Sequence, residues 1–255
     1  MKKTVLLSEG EGCTWSVIAR DPERPSHLID TNEYVVAAGD VALLTDPGGQ
    51  EIFPAVFSAL SAAYDPRRIT HIFASHQDPD VISSLALWLE FNPAIRCYAS
   101  WLWCTFIPHF GGDAQTFIPV PDDGIPIELS GRPLRILPAH YLHSSGNLHL
   151  YAPGAKILFS GDVGAALLPP DDSSLFVENF DRHIRYADGF HRRWMGSREA
   201  RDAWCERTSR MSIDMLCPQH GAIYRGADVG RFIDWFGSLP IGILSGSKST
   251  VRRDT

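Results

Sequence analysis

The chain has 255 residues, of which 44% are hydrophobic and 21% charged, a balance typical of a globular protein with a sizeable core. Its 30 acidic and 23 basic residues give a formal net charge of −7, and without any long basic run this argues against a nucleic-acid partner. No apolar run is long enough to span a membrane, and the N-terminus lacks the apolar core of a signal peptide, so we expect a cytoplasmic protein.

The first seventy residues are predicted to be rich in β-strands. Strands are expected at residues 14–19, 33–37 and 40–45, each bounded by Gly, Pro, Asn or Asp. Ile52, Val56 and Leu60 recur at helical spacing, which predicts a helix over residues 52–63. A strand at 71–74 follows.

The second part of the chain mixes helices and strands. We expect a helix at 83–91, a strand at 95–99, and an aromatic stretch at 101–107 that packs in the core. Further strands are predicted at 134–137, 148–151, 156–159 and 213–217, and helices within 165–210 (182–186 and 199–210) and at 227–236. These elements predict an α/β (α+β) fold with one core: a domain over residues 1–240, followed by a Gly/Ser-rich basic tail at 241–255.

His76, Asp78 and Asp80 form a dense polar cluster directly after the strand at 71–74. Pro79 argues against a regular strand here, so the cluster is predicted to lie in a loop at a strand end. Imidazole and carboxylate together suit Zn, Fe and Mn, which makes this loop a candidate metal site. The alternative is a solvated loop in which Asp78 or Asp80 caps the next helix.

Three further strand ends carry a His or an Asp. His143 follows the strand at 134–137, Asp162 ends the strand at 156–159, and His220 lies just beyond the strand at 213–217. Four such strand ends are more than a core requires, because loops at one edge of an α/β sheet are where functional sites are built.

The motifs His76-x-Asp78-x-Asp80, His143-Ser-x-Gly, Ser160-Gly-Asp162 and Pro218-x-His220-Gly resemble those of the metallo-β-lactamase superfamily, in the same order. Their finer sequence is most similar to the flavodiiron proteins, and especially to the stand-alone oxygen-binding diiron proteins. The resemblance implies an αββα sandwich that carries two iron ions.

The resemblance also implies a set of metal ligands. His76, Asp78 and His143 would bind the first metal, Asp80 and His220 the second, with Asp162 bridging the two. Where the superfamily usually has a further His, this chain has Val81, which cannot bind a metal. The second metal would then keep open positions, beside an apolar wall made by Val81, and an open position is typical of a working site.

The other polar candidates match no ligand position. His140, His149, His183 and His191 are interpreted as surface or supporting histidines, with His140 the strongest candidate for orienting a ligand. Asp46 either steadies His220 or a nearby loop, or has a role in a turn.

Two classes of chemistry fit a dinuclear centre: dioxygen binding at iron, and hydrolysis by a metal-activated water, with zinc or manganese as alternative metals. The resemblance favours dioxygen. Since the family's flavodoxin-like FMN domain has no counterpart before residue 255, we expect no FMN and no built-in electron donor. Two ferrous ions give only two of the four electrons that reduce dioxygen to water, so a peroxo adduct used for oxygen sensing or storage is the favoured function.

Three other interpretations stay open. The protein could reduce oxygen or nitric oxide with a separate flavoprotein or rubredoxin as donor, it could be a dinuclear zinc hydrolase, or it could be a metal-free interaction module. For assembly, the aromatic stretch at 165–210 with Trp194 and Trp204 predicts a homodimer. The five cysteines are odd in number and form no Cys-x-x-Cys pair, as expected for a reduced cytoplasm.

Overall fold

The chain folds into two β-sheets packed face to face, with helices on both outer faces. The computed structural model describes residues 2–21, 23–25 and 27–243, so most of the predicted tail at 241–255 lies outside the described residues. Three apolar clusters fill the spaces between four layers: helices against the first sheet, sheet against sheet, and the second sheet against helices. The αββα sandwich is therefore confirmed.

The first sheet has seven strands whose order in space follows their order in the chain. They are β1 (Thr4–Gly10), β2 (Cys13–Ile18), β3 (Glu33–Ala38), β4 (Val41–Thr45), β5 (Ile69–Phe73), β6 (Arg96–Ser100) and β7 (Phe117–Val120). The hairpins β1 to β4 pair antiparallel, whereas β4 to β7 pair parallel through helical crossovers. Because β4 and β5 run in the same direction, the loops that follow them lie at one edge of the sheet.

The second sheet has six strands, in the spatial order β13-β12-β11-β10-β9-β8. They are β8 (Ile125–Leu129), β9 (Arg132–Pro138), β10 (Leu148–Ala152), β11 (Ile157–Gly161), β12 (Met215–Pro218) and β13 (Tyr224–Arg225). β9 and β11 both pair antiparallel with β10, and β11 pairs parallel with β12, so β9, β11 and β12 also end at a common edge.

In the described part of the chain, six α-helices cover the outer faces. They are α1 (Phe53–Ser61), α2 (Pro79–Ile82), α3 (Leu85–Phe91), α4 (Phe180–Trp194), α5 (Arg198–Ser209) and α6 (Ala227–Ser238), with short 3-10 turns at Gln50–Ile52, Pro66–Arg68 and Ile107–Phe110. Buried residues of α1 to α3 join the core of the first sheet, and those of α4 to α6 join the core of the second. No helix in the described part of the chain is long and apolar enough to cross a membrane.

Three sequence predictions are corrected. The strands β1, β7, β8 and β13 were not predicted; all four lie at sheet edges, and β7 and β8 contain Pro119 and Pro126, which an edge strand tolerates. The aromatic stretch at 101–107 is not all core, because Trp101 is 51% and Phe106 55% exposed. The dimer argument also loses Trp204, which is buried within this chain.

Candidate metal centre

Four strand ends bring the predicted ligand residues together. His76 follows β5, His143 lies in the loop after β9, Asp162 comes directly after β11, and His220 follows β12 by two residues. Asp78 stands immediately before α2 and Asp80 in its first turn, but the Asp78 side chain makes no capping hydrogen bond. The capping alternative is therefore wrong for Asp78, and its carboxylate is free to face the histidines.

The first group consists of His76, Asp78 and His143. Their candidate ligand atoms all lie within 4.8 Å of one another. The Asp78 Oδ2 atom is 3.6 Å from His76 Nε2 and 3.5 Å from His143 Nε2, and the two Nε2 atoms are 3.2 Å apart. One carboxylate and two imidazoles thus converge on a single point.

The second group consists of Asp80 and His220, and Asp162 lies between the two groups. His220 Nε2 is 3.3 Å from Asp80 Oδ2 and 3.3 Å from Asp162 Oδ1. The other oxygen of Asp162, Oδ2, faces the first group, at 2.8 Å from His143 Nε2 and 3.7 Å from His76 Nε2. Asp162 therefore presents one oxygen to each group.

In His76 and His220 the Nδ1 atom forms a hydrogen bond that points away from the ligand groups. In the neutral ring Nδ1 carries the proton, and the Nε2 atom that faces the ligand groups carries none. His220 Nδ1–H donates to the carbonyl oxygen of Asp30 at 2.7 Å. His76 Nδ1 lies 2.8 Å from Ser75 Oγ, whose own hydroxyl donates to Asp46 Oδ2 at 2.6 Å, so His76 is the donor to Ser75. The Nε2 lone pairs then point at carboxylate oxygens.

Metal ions fit this donor set. Asp162 Oδ1 is buried and has no hydrogen-bond partner, which is costly unless a cation or a proton lies against it. Lone pairs of nitrogen and oxygen that face one another repel until a positive charge is placed between them. Imidazole and carboxylate ligands without thiolate are compatible with iron, manganese and zinc.

The electrostatics of the site favour bound cations. Burial opposes protonation of His220, but the Asp162 and Asp80 carboxylates outweigh it and raise its pKa well above the usual value. Burial likewise opposes protonation of His76, yet the neighbouring carboxylates raise its pKa to about 9. Burial would raise the pKa of Asp162, but when protons rather than a metal ion occupy the site, hydrogen bonds from His143 and His220 hold that pKa well below its usual range. A metal ion can replace the protons that these pKa values describe.

Asp46 supports the His76 loop rather than His220. Its Oδ1 accepts from the Ser75 backbone N–H at 2.7 Å, and its Oδ2 accepts from the Ser75 hydroxyl. Burial raises the pKa of the Asp46 carboxyl to about 7, against the opposing charge of His76. The sequence placed Asp46 at a strand end but did not identify Ser75 as its partner.

Glutamine side chains brace both ligand groups. Gln77 donates to Asp78 Oδ1 at 2.8 Å and accepts from the Ser144 hydroxyl at 2.7 Å, which ties the Asp78 and His143 loops together. Gln219 donates to the Asp80 carbonyl at 3.0 Å. Each glutamine therefore joins the chain segments that carry two ligands of the same group.

The loop that carries His220 is held by Tyr34 in β3 and by Asn32, the residue just before β3. Asn32 Nδ2 donates to the Gly221 carbonyl at 2.9 Å, and the Tyr34 hydroxyl donates to the Pro218 carbonyl at 2.8 Å. Gly221 has φ +86°, and a Cβ there would lie 2.8 Å from the Ala166 carbonyl oxygen. Only glycine fits this close approach, and the His-Gly dipeptide was the sequence signal for it.

The four non-ligand histidines lie outside the two ligand groups, as predicted, but the residue predicted to orient a ligand is not the one that supports the site. His140 is wrong as the orienting residue, since its Nε2 bonds the Asp122 carbonyl at 2.9 Å. His191 instead supports the site: its Nε2 accepts from the Gly164 backbone N–H at 3.0 Å, two residues after Asp162. His149 accepts from Trp204 Nε1–H at 2.8 Å, and His183 packs edge-on against Tyr224.

The apolar wall of the site comes from α4. Val81 is fully buried in the core between the helices and the first sheet. The Phe190 ring faces two ligand rings, with its centroid 6.3 Å from that of His143 and 6.4 Å from that of His220. Sequence reasoning gave Phe190 no role at the site, because this residue lies far along the chain from every ligand.

Comparison with known proteins assigns a family to this arrangement. The family described as ODP family beta lactamase matches residues 29–221. A structure of the peroxy diiron species of the chemotaxis sensor ODP is 37% identical with a TM-score of 0.83, and the alignment covers 94% of this chain and 96% of that one. The apo state of the chemotaxis sensor ODP from T. denticola is 36% identical with a TM-score of 0.84, over the same shares of the two chains.

Flavin-dependent proteins show a more distant likeness. A flavo di-iron protein variant from Thermotoga maritima is 25% identical with a TM-score of 0.79, and the alignment covers 93% of this chain and 61% of that one. Diflavin flavoprotein A 1 from Synechocystis sp. is 29% identical over 133 residues, which are 52% of this chain and 23% of the relative. The matched part of this chain therefore spans less than a quarter of that relative's length.

Proposed function

The chain belongs to the ODP family of beta lactamases, and we propose that it binds dioxygen at a pair of iron ions. The similar chemotaxis sensor ODP is described with a peroxy diiron species. The proposal is also supported by the two groups of His and Asp side chains in this chain. In this proposal the protein senses or stores dioxygen. Iron is the resident metal, although the donor set also accepts zinc or manganese.

Six side chains hold the ions in this proposal. The first ion is bound by His76, Asp78 and His143, the second by Asp80 and His220, and both by Asp162. When bound, a ferrous pair supplies two electrons to a dioxygen molecule. The unpartnered Asp162 Oδ1 atom and the two Asp162 oxygens that face opposite groups support a shared carboxylate.

Phe190 is the observation that favours dioxygen over a hydrolytic substrate. Its ring packs against both His143 and His220, so the space next to the ligands is apolar on this side. A small neutral molecule loses little on entering such a space, whereas a phosphate or ester would bury polar groups without partners.

The test uses protein purified and loaded with ferrous iron without air. We expect about two irons per chain, the number that the donor set accommodates. Admitting air should produce a visible absorption band. Removal of oxygen should let the band fade while iron is retained. If the ferrous protein shows no spectral change in air, while the zinc form cleaves a lactone or thioester, the hydrolase interpretation replaces this one.

We also propose that the protein is a homodimer. The support is Trp194, which is 49% exposed, an unusual exposure for so large a ring. Light scattering in dilute solution should give a mass of about twice the 28.3 kDa of one chain. A particle of one-chain mass would contradict the dimer.

The proposed compartment is the cytoplasm. All five cysteines are unpaired in the structure. Burial raises the pKa of Cys97 and Cys217, and raises that of Cys205 to about 11, so these thiols are weakly reactive. Cell fractionation that recovers the protein outside the cytoplasmic fraction would contradict this placement.

A further inference from the structure

A cavity lies between the two sheets, at the edge of the sandwich opposite the candidate metal centre. The metal-centre residues follow the ends of β5, β9, β11 and β12, whereas residues at the starts of β2 and β9 and just before β11 line this cavity. Its volume is about 360 Å³, which is ordinary for a small-molecule site. None of the six ligand-type residues lines it, so a molecule bound here would be separate from the metal centre.

Two hydrogen-bond donors that line the cavity have no partners. Trp15 is 1% exposed, and its indole N–H finds no acceptor among the described residues. Arg132 is half-buried on the same face of β9 as the core residue Leu134, and it forms no ion pair in the part of the chain that the structure describes. The nearby Cys13 thiol does not balance its charge, because burial raises the pKa of that thiol although Arg132 opposes the shift. Unpaired donors of this kind favour an anionic group.

Two carboxylates lie on the exposed side of the cavity. Glu9 and Glu11 belong to the hairpin of β1 and β2, both are exposed, and neither pairs with a base within the described residues. The Arg132 guanidinium packs against the turn of this hairpin, since a Cβ added at Gly12 would lie 3.1 Å from its Nη2 atom. The cavity therefore has an unpaired base and two unpaired acids within the reach of one small molecule.

The charges of the lining select a ligand that carries both signs. The other two charged residues, Lys156 and Asp214, lie 3.7 Å apart and offset each other. A simple anion would bind Arg132 but face the two glutamates, and a simple cation would bind the glutamates but face Arg132. A zwitterion gives each unpaired group a partner of opposite charge.

We propose that this cavity binds a free α-amino acid with an apolar side chain. The carboxylate of the amino acid accepts hydrogen bonds from Arg132 and Trp15, and its ammonium group donates to Glu9 or Glu11. Its side chain packs against the apolar floor that Trp15 and Leu134 provide. No covalent bond is formed or broken, and the proposal does not depend on the proposed diiron function.

Titration calorimetry of the full-length protein with three matched probes tests the ligand class. Leucine carries both charges, 4-methylpentanoate lacks the ammonium group, and 3-methylbutylamine lacks the carboxylate. We expect leucine to bind with a Kd below about 1 mM and each single-charge probe to bind about tenfold more weakly. The proposal is overturned if leucine does not bind, or if either single-charge probe binds as tightly as leucine.

Variants of the charged residues place the ligand in the cavity. Arg132→Gln should weaken leucine binding by about tenfold without weakening 3-methylbutylamine, because the amine has no carboxylate to lose a partner. The double variant Glu9→Gln and Glu11→Gln should weaken leucine by about tenfold without weakening 4-methylpentanoate. Arg135→Gln is the matched control, since Arg135 is exposed in the same strand but does not line the cavity.

A further variant separates lost binding from lost folding. Arg132→Lys keeps the positive charge and should retain most of the leucine affinity that Arg132→Gln loses, while urea unfolding midpoints show whether both variants are folded. Equal leucine Kd values in folded Arg132→Gln and Arg135→Gln would overturn the placement of the site.

Discussion

His76 and His220, at the candidate metal centre, are as buried as His149 in β10 and His191 in α4, yet the pKa values of the two pairs move in opposite directions. Burial lowers the pKa of His149 to about 3 and that of His191 to about 4. At the ligand edge the carboxylates outweigh burial and raise the pKa of both histidines. The charge of the neighbours, not the depth of burial, therefore separates a cation-binding imidazole from a neutral structural one.

Removing the Asp162 carboxylate should have the largest effect on the histidines of the candidate metal centre. Asp162→Asn keeps the shape of the side chain but removes the negative charge that faces His76, His143 and His220. We expect the variant to retain almost no iron after dialysis, as measured by elemental analysis. Asp122→Asn, at the exposed partner of His140, is the control and should keep its iron. Full iron retention in Asp162→Asn would contradict the ligand assignment.

The dependence of stability on pH tests whether the buried His149 is neutral in the folded chain. The folded pKa of His149 is about 3 against an ordinary value of 6.5, so below pH 6.5 the unfolded chain binds a proton that the folded one does not. Its contribution to stability is fully present above pH 6.5 and is lost as the pH falls towards 3. The expected slope is about 1.4 kcal/mol per pH unit.

Urea unfolding at several pH values, on wild type and on His149→Gln, measures this contribution. The difference in the free energy of unfolding between the two proteins should change with pH below 6.5 and be constant above it. Parallel curves for the two proteins would show that His149 does not stay neutral in the folded chain.

His191 tests whether a neutral buried histidine can still serve the centre. His191→Leu fills the space but leaves the Gly164 N–H without its acceptor, which costs about 1–3 kcal/mol. Because Gly164 lies in the loop after Asp162, we expect iron affinity to fall by about tenfold as well. His183→Leu is the control, since His183 contacts the Tyr224 ring and should leave iron affinity unchanged. Equal iron affinities in the two variants would show that His191 does not support the site.

The smallest expected effect comes from the hydrogen bond between α5 and β10. Trp204→Phe removes the N–H that donates to His149 at 2.8 Å and should lower the free energy of unfolding by about 1 kcal/mol. Trp101→Phe removes a similar bond to Asp122 on an exposed side chain and should change stability by less than about 0.5 kcal/mol. Urea unfolding of both variants distinguishes the buried bond from the exposed one, and equal losses would contradict the distinction.

Local chemistry was sufficient to predict the elements that matter for the site. The strands before His76, Asp162 and His220 each contain a short apolar stretch (72–74, 157–159 and 215–217), and the polar residue follows within three residues. Edge strands were harder to predict, because Pro119 and Pro126 argue against strands unless the strand is known to lie at an edge. Which strands are edges depends on the order of the sheets.

The sequence by itself determined which segments carry ligand-type side chains, since a His or Asp directly after an apolar strand is a local feature. Only the tertiary structure decided what surrounds them. Ser75 and Asp46 follow two neighbouring parallel strands. His191 and Phe190 come from α4, which packs on the outer face of the second sheet. Their distance along the chain left no pattern for a local prediction, because the packing of α4 against the second sheet sets these contacts.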